Sequence, residues 1–219
     1  MNRILQRLRV TFSRGEEVKY IAHLDIMRLW ERVLRRAQIS LAYSQGFTPH
    51  PKVSIAAPLA VGVTSEAELM DVFLTRRMSP YYFTKAVSPQ LPPGIGVLAV
   101  QEVGLKVPSL QSMVRFAEYN VLVSTDGKGL PDLQPLISSL LESQELPWSH
   151  SRDKSLRSYD LRALIDDIWL IGWHDTSGTL GMRLRTDSAA TGRPEQVALA
   201  LGFTDHPQAI HRTKLILGR

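Results

Sequence analysis

Residues 19–62 read KYIAHLDIMRLWERVLRRAQISLAYSQGFTPHPKVSIAAPLAVG and join an amphipathic segment, an aromatic loop and an apolar run. The segment from His23 to Gln38 contains neither proline nor glycine, and its apolar side chains recur every three or four residues. This spacing predicts an α-helix with one buried face. The residues on that face are Ile26, Met27, Leu29, Trp30, Val33, Leu34 and Ala37.

The opposite face of the predicted helix carries four arginines at spacings that make their side chains neighbours. They are Arg28, Arg32, Arg35 and Arg36. Asp25 is placed to pair with Arg28, and Glu31 with Arg35, which leaves the other two arginines without a partner on the helix. Two interpretations are open: a cationic surface that binds a ligand, or an ordinary solvated face.

A proline-stiffened loop follows the helix. Gly46 gives this loop backbone freedom, whereas Pro49 and Pro51 fix two φ angles and favour extended geometry in the residues before them. Recognition residues concentrate on loops that a rigid scaffold holds, so we predict a ligand-binding loop. The alternative is an ordinary turn with a packed tyrosine and phenylalanine. The candidate binding residues are Tyr43, Ser44, Gln45, Phe47, His50 and Lys52.

The elements predicted in the first half follow the order β-α-β-β-α-β. Strands are predicted at residues 8–14, 53–57, 68–75 and 95–103, and helices at 23–38 and 79–87. This order is typical of the ferredoxin-like fold, in which two helices cover one face of a four-stranded antiparallel sheet. Residues 104–112 are interpreted as a boundary, which gives a first ferredoxin-like domain at residues 1–107.

The second half is interpreted as another ferredoxin-like domain, at residues 108–219. The predicted elements are strands at 116–124, 179–186 and 209–217, helices at 131–143 and 193–201, and a turn at 126–129. Residues 149–158 form a polar, basic and extended stretch. The sequence therefore predicts an α+β chain with two tandem ferredoxin-like domains.

The chain resembles the radical-SAM-linked family DUF2344. The resemblance rests on KYIAHLD at residues 19–25, on the helix arginines with Glu31, and on LAYSQGFTPHPK at residues 41–52. It continues more loosely through residues 160–162, 193–194 and 211–213, and Ala22 departs from it, since serine is expected there. Members of the family occur fused to, or encoded beside, a radical-SAM protein. The resemblance implies an accessory role beside such a partner.

The chain of 219 residues contains no cysteine, which excludes disulfides and a cysteine-bound iron–sulfur cluster. A radical-SAM partner would therefore carry the cluster and SAM, and we expect no cofactor in this chain. No two histidines stand four apart, so we predict no metal site. The absence of a signal-peptide pattern and of an apolar run near 18 residues predicts a cytoplasmic protein without membrane contact.

The net charge of +5 is concentrated near the start of the chain. Residues 1–52 hold ten Lys and Arg against four Asp and Glu, whereas the remaining residues hold sixteen against seventeen. Such local positive charge is typical of a surface that binds a phosphate backbone. A docking face for an acidic protein would give the same pattern.

We expect the chain to bind RNA, or another anionic substrate, and to present it to a separate radical-SAM enzyme. The first alternative is a docking module for that enzyme without nucleic acid. The second alternative is a metal-independent RNA-processing enzyme, for which His23 and His50 are the candidate acid–base pair if both reach one phosphate. We favour a protein without catalytic activity of its own.

Overall fold

The computed structural model describes residues 3–125, 133–152 and 155–218. Contacts divide the chain into two compact units, of which the first comprises the residues up to Val114 together with Gly218, and the second spans Arg115–Leu217. The sequence analysis placed the boundary after residue 107. Residues 108–113 group with the first unit, where Arg7 Nη2 donates to the Pro108 carbonyl at 2.9 Å and Gln111 Nε2 donates to the Ile55 carbonyl at 2.9 Å.

The first unit contains four strands and two longer helices in the predicted order. The strands lie side by side as β4-β1-β3-β2, and each neighbouring pair is antiparallel. A short helix, α3, closes the unit. The elements are β1 (Gln6–Arg14), α1 (His23–Arg36), β2 (Val53–Ile55), β3 (Thr64–Leu74), α2 (Pro80–Val87), β4 (Ile95–Val103) and α3 (Leu110–Met113).

The two helices cover one face of this sheet because apolar side chains occur at every second position of its strands and therefore point to the same side. Leu8, Val10 and Phe12 on β1 share a core cluster with Trp30 of α1 and Phe83 of α2. Trp30 is fully buried, and its ring meets Phe12 edge to face at 5.0 Å between centroids. The buried face of α1 is therefore the apolar face that the sequence predicts, and it fixes which side of the helix meets solvent.

The opposite face of the same sheet buries charged residues. Arg9 lies directly across from Asp71, and Arg9 Nε donates to Asp71 Oδ1 at 2.9 Å. Arg7 Nε donates to Asp71 Oδ2 at 2.9 Å, and the Arg7 guanidinium lies 5.4 Å from the centre of the Phe73 ring. These three charged side chains are at most 7% exposed. One carboxylate thus holds two arginines inside the unit.

Within the second unit the strands follow the order β10-β5-β9-β8, and β6 and β7 form a separate hairpin. The hairpin is inserted between α4 and β8, in the stretch that the sequence analysis interpreted only as extended. The predicted turn at 126–129 and the predicted helix start at residues 131–132 lie outside the described residues. The elements are β5 (Val114–Ser124), α4 (Leu133–Glu142), β6 (Pro147–Arg152), β7 (Ser155–Asp160), β8 (Ile165–His174), β9 (Ser177–Arg185), α5 (Pro194–Ala200) and β10 (Ala209–Leu217).

The described helices are short. The longest, α1, has 14 residues and is about 21 Å long at 1.5 Å per residue. Within the described part of the chain, no helix combines the length and the apolar character that crossing a bilayer requires.

Candidate functional site

The four predicted arginines are exposed along α1 and form what we call the arginine stripe: Arg28, Arg32, Arg35 and Arg36. Arg28 pairs with Asp25 as predicted, with Nη1 3.0 Å from Oδ1. The expected pair of Glu31 with Arg35 is absent from the ion pairs of the described residues. In those same residues, no carboxylate oxygen lies within 4 Å of the other three guanidinium groups. The stripe therefore offers three cations that the described protein does not neutralise by direct contact.

A cavity of about 450 Å³ opens beside two members of the stripe. One wall comes from α1, through Leu29, Arg32, Val33 and Arg36, and the other from Gln90, Leu91 and Pro92 after α2. The second wall begins at Gln90, the last residue of the 3₁₀ turn Ser88–Gln90. Two guanidinium groups above apolar side chains suit a ligand that has an anionic group attached to a flat or apolar body.

The spacing of the wall residues shows which flank of α1 faces this cavity. Leu29, Arg32, Val33 and Arg36 succeed one another by three, one and three positions, so they occupy one flank. Arg35 follows Glu31 by four positions and lies with it on the other flank. The stripe therefore directs only Arg32 and Arg36 into the cavity.

The segment of residues 43–51, which we call the 43–51 loop, is an Ω-type loop whose two ends meet at β3. The Lys52 amide donates to the Ala42 carbonyl at 2.7 Å. Phe73 binds both ends, because its carbonyl accepts from Ala42 N at 2.8 Å and its amide donates to the Lys52 carbonyl at 3.1 Å. Inside the loop, Ser44 N donates to the His50 carbonyl at 2.8 Å, and His50 N donates to Ser44 Oγ at 3.0 Å. The predicted stiff loop is thus held by its own hydrogen bonds.

The tip of the 43–51 loop presents an aromatic ring to solvent. Phe47 has a relative exposure of 111%, and Gln45, His50 and Lys52 are exposed as well. Tyr43 differs, because it is half-buried and packs against the core of the first unit. Gly46 has a φ of +130°, which only glycine adopts readily, so the tip depends on this residue. Phe47 is the aromatic side chain that the loop offers to a ligand.

The cavity beside Arg32 and Arg36 does not extend to the 43–51 loop. The cavity at Arg32 and Arg36 is closed by Gln90, Leu91 and Pro92, and none of its lining residues belongs to the loop. The predicted binding residues therefore form two groups, one on α1 and one on the loop that follows the end of α1.

His23 and His50 lie on different elements of the first unit. His23 begins α1, whereas His50 lies on the 43–51 loop, which follows that helix in the chain. Burial lowers the pKa of the His23 imidazole below 6.5, and the positive charge of Arg14 lowers it further, against a smaller opposing effect of Glu68. His23 is accordingly neutral near pH 7. The acid–base pair of His23 and His50 stays a prediction, and no group of three His, Asp or Glu among the described residues is placed to hold a metal ion.

The sequence analysis missed that part of the basic excess is internal. Arg7, Arg9 and Arg14 are buried, and Arg14 donates to the Ile21 carbonyl at 2.9 Å. Lys19 is held by Glu16 at 2.6 Å. The alternation of arginine with leucine and valine along β1 was the available signal, because alternate residues of a strand point to opposite faces. The cationic surface of the unit is consequently smaller than its composition suggests.

The family described as "Uncharacterized protein conserved in bacteria (DUF2344)" matches residues 7–194. No curated protein matches the chain. The matched range includes α1, the 43–51 loop and both groups of predicted binding residues.

The chain is similar to solved structures at low sequence identity. A chain of the structure titled "Crystal Structure of a Cbf5-Nop10-Gar1 Complex" is 12% identical and has a TM-score of 0.50, with 95% of this chain and 48% of that chain covered. A chain of "Structure of H/ACA RNP bound to a substrate RNA containing 2'-deoxyuridine" is 12% identical and has a TM-score of 0.49, with 97% and 48% covered. The chain spans about half the length of the structures it matches. The first likeness supports a shared fold alone.

Proposed function

The chain belongs to the DUF2344 family, and we propose that it is an accessory module that binds RNA, or another anionic substrate, and presents it to a separate radical-SAM enzyme. The observation that carries this proposal is the group of three exposed arginines on α1 that no carboxylate of the described residues contacts. Arginine binds phosphate through paired hydrogen bonds and keeps its charge at every physiological pH.

The lining of the cavity at Arg32 and Arg36 suits a substrate that contains both a phosphate and a nucleobase. A phosphate on the two guanidinium groups would place its attached sugar or base over Leu29 and Leu91. Phe47 would provide a second contact by stacking on an unpaired base, as exposed aromatic side chains do in proteins that bind single strands. Since the loop and the cavity are separate, a structured or extended RNA is a better ligand than a single nucleotide.

We interpret both units as ferredoxin-like domains. In the first unit the strand order β4-β1-β3-β2 supports this interpretation, and in the second unit β10-β5-β9-β8 repeats that order once the β6–β7 hairpin is treated as an insertion. The titles of the two structures name a Cbf5-Nop10-Gar1 complex and an H/ACA RNP bound to a substrate RNA, but at 12% identity they say nothing about what this chain binds. The RNA proposal depends on the arginine stripe and not on those titles.

The radical-SAM partner follows from the family resemblance. Because the chain has no cysteine, it cannot supply the three thiolates that hold a radical-SAM cluster. The partner would contribute the cluster and SAM, and this chain would contribute substrate binding.

The test is a fluorescence anisotropy titration of labelled tRNA and rRNA fragments at low salt. The double variant Arg32→Glu, Arg36→Glu is expected to bind at least about tenfold more weakly, because both phosphate contacts become repulsive. The control is the double variant Arg76→Glu, Lys85→Glu, which makes the same charge change at two other exposed positions of the first unit and is expected to retain most of the affinity. Absence of RNA binding by the native protein, or equal losses in both variants, would falsify the proposal.

A protein-docking role without nucleic acid is the second candidate. Leu24 is 67% exposed and stands four residues before Arg28, so it extends the arginine stripe with an apolar side chain, and Tyr20 is 73% exposed. Exposed apolar groups beside arginines are typical of protein interfaces. Co-purification with the radical-SAM partner distinguishes the two roles. The docking role is favoured if the native protein does not bind RNA and the Leu24→Ser variant no longer co-purifies with the radical-SAM partner.

A further inference from the structure

The second unit contains a cavity of about 520 Å³ that none of the predicted binding residues borders. One wall is formed by Ser158, Tyr159 and Asp160 at the end of β7, and the other by Thr191 and Arg193 before α5. A volume of this size falls within the range of roughly 300–1,000 Å³ that is usual for small-molecule sites. The cavity therefore has room for a ligand of nucleotide size.

The charges that line this cavity are not equally available. Asp187 is occupied, because it accepts hydrogen bonds from Arg185 Nε at 2.7 Å and from the amides of Ala189 and Ala190 at 2.8 and 2.9 Å. The side chain of Arg193 is exposed, and within the described residues it forms neither a hydrogen bond nor an ion pair. An uncommitted guanidinium at the mouth of a cavity favours an anionic group there.

Asp160 offers an acceptor on the opposite wall. Its Oδ1 accepts from Leu146 N at 2.8 Å and from Arg162 N at 2.9 Å, which fixes the carboxylate. In the described part of the chain, Oδ2 has no hydrogen-bond donor. A fixed carboxylate with one oxygen available suits a ligand hydroxyl group, because an ionised carboxylate only accepts hydrogen bonds.

Tyr159 supplies an aromatic surface between the two polar groups. Tyr159 borders this cavity and also a neighbouring one of about 450 Å³. Trp148 lines the second cavity and lies opposite Tyr159 in the β6–β7 hairpin. The phenol oxygen of Tyr159 donates to Gln196 Oε1 at 2.5 Å, which holds the ring in place. Burial raises the pKa of the Tyr159 phenol, so this hydroxyl stays protonated at neutral pH. A planar base could pack against a ring that is fixed in this way.

We propose that this cavity binds a nucleoside monophosphate, with the phosphate on Arg193, a ribose hydroxyl on Asp160 and the base against Tyr159. A free amino acid also pairs with an arginine and a carboxylate, but it would leave most of the cavity empty and the aromatic wall unused. The same chemistry is carried by a free mononucleotide and by the phosphorylated 5′ end of an RNA chain. The site is independent of the arginine stripe, since it shares no residue with it.

The experiment is isothermal titration of the full chain with AMP, GMP, CMP and UMP, each compared with its nucleoside. At least one nucleotide is expected to bind, and loss of its phosphate or the change Arg193→Gln is expected to weaken binding about ten- to hundredfold, as for a hydrogen bond to a charged group. The matched control is Lys214→Gln, which removes an exposed charge of the same unit outside the cavity and is expected to bind as the native protein does.

Two further arms identify the source of the phosphate. In the first arm, a pentanucleotide with a 5′-phosphate is titrated into the double variant Arg32→Gln, Arg36→Gln. If it binds more than about tenfold tighter than the mononucleotide, and its binding also depends on Arg193, the natural ligand is an RNA end. Equal affinities identify a free nucleotide. The proposal is overturned if no nucleotide binds at millimolar concentration, or if Arg193→Gln and Lys214→Gln bind equally well.

Discussion

Arg7 and Arg9 on β1 and Arg32 and Arg36 on α1 are the same type of residue in the same unit, but their surroundings differ completely. The first pair is buried and shares the carboxylate of Asp71. The second pair is exposed and borders a cavity, and no carboxylate in the described parts of the chain contacts it. The first pair can act only on stability, and the second is available to a ligand. The number of arginines in a segment is therefore a poor measure of its cationic surface.

The largest effect is expected when the buried arginines lose their shared partner. Asp71→Asn keeps the shape of the side chain but leaves two buried guanidinium groups uncompensated, which is expected to lower the free energy of unfolding by about 3–5 kcal/mol. Urea denaturation measures this change. The control is Arg77→Gln, which breaks the exposed pair of Arg77 with Glu102 at 3.2 Å and should cost less than about 1 kcal/mol. A loss below about 1 kcal/mol for Asp71→Asn would mean that the buried guanidinium groups of Arg7 and Arg9 tolerate the loss of their carboxylate partner.

A smaller effect, of a different kind, is expected from the exposed pair. Arg32→Gln together with Arg36→Gln is expected to change the free energy of unfolding by less than about 0.5 kcal/mol, because neither side chain has an ion-pair partner in the described residues. The same variant should reduce the slope of log K against log salt for single-stranded RNA by about 1.4, or about 0.7 for each lost phosphate contact. Titrations at several salt concentrations measure the slope. An unchanged slope would place the RNA elsewhere.

The smallest effect is expected at Asp25, which pairs with Arg28, the one member of the arginine stripe with an ion-pair partner among the described residues. Its pair with Arg28 joins side chains that are 55% and 69% exposed, so Asp25→Asn should change stability by less than about 0.5 kcal/mol. Because the change frees a fourth cation, RNA should bind slightly more tightly. Weaker binding would show that Asp25 itself contributes to the site, and denaturation and anisotropy titrations together decide this.

Local patterns were sufficient to predict several elements. The α1 helix, the strand Ile95–Val103 and the strand Ala209–Leu217 occur where periodicity places them. The start of α2 was predicted from Ser79 and Pro80, and Ser79 Oγ accepts from Tyr82 N at 3.3 Å. These features depend on residues that are close in sequence, which is why one sequence reveals them.

Features that depend on register and on distant partners could not be predicted. The burial of Arg9 requires that β3 place Asp71 opposite it, and no pattern within β1 specifies that register. The β6–β7 hairpin was missed because its strands are polar and lack apolar alternation. The second wall of the cavity at Arg32 comes from Gln90, Leu91 and Pro92, which are more than fifty positions away in the sequence. The arginines were predicted correctly as exposed, but their neighbours were not.

The closure of the 43–51 loop has a consequence for engineering and for evolution. Since Ala42 and Lys52 are joined to each other and to Phe73, the pairing of the sheet is complete without any contribution from residues 45–49. Those five positions can therefore be substituted or extended without breaking the hydrogen bonds that close the loop. Lengthening a closed surface loop costs only about 0.6 kcal/mol for each doubling of its length. New binding specificities can be grafted or selected there while the scaffold keeps its register.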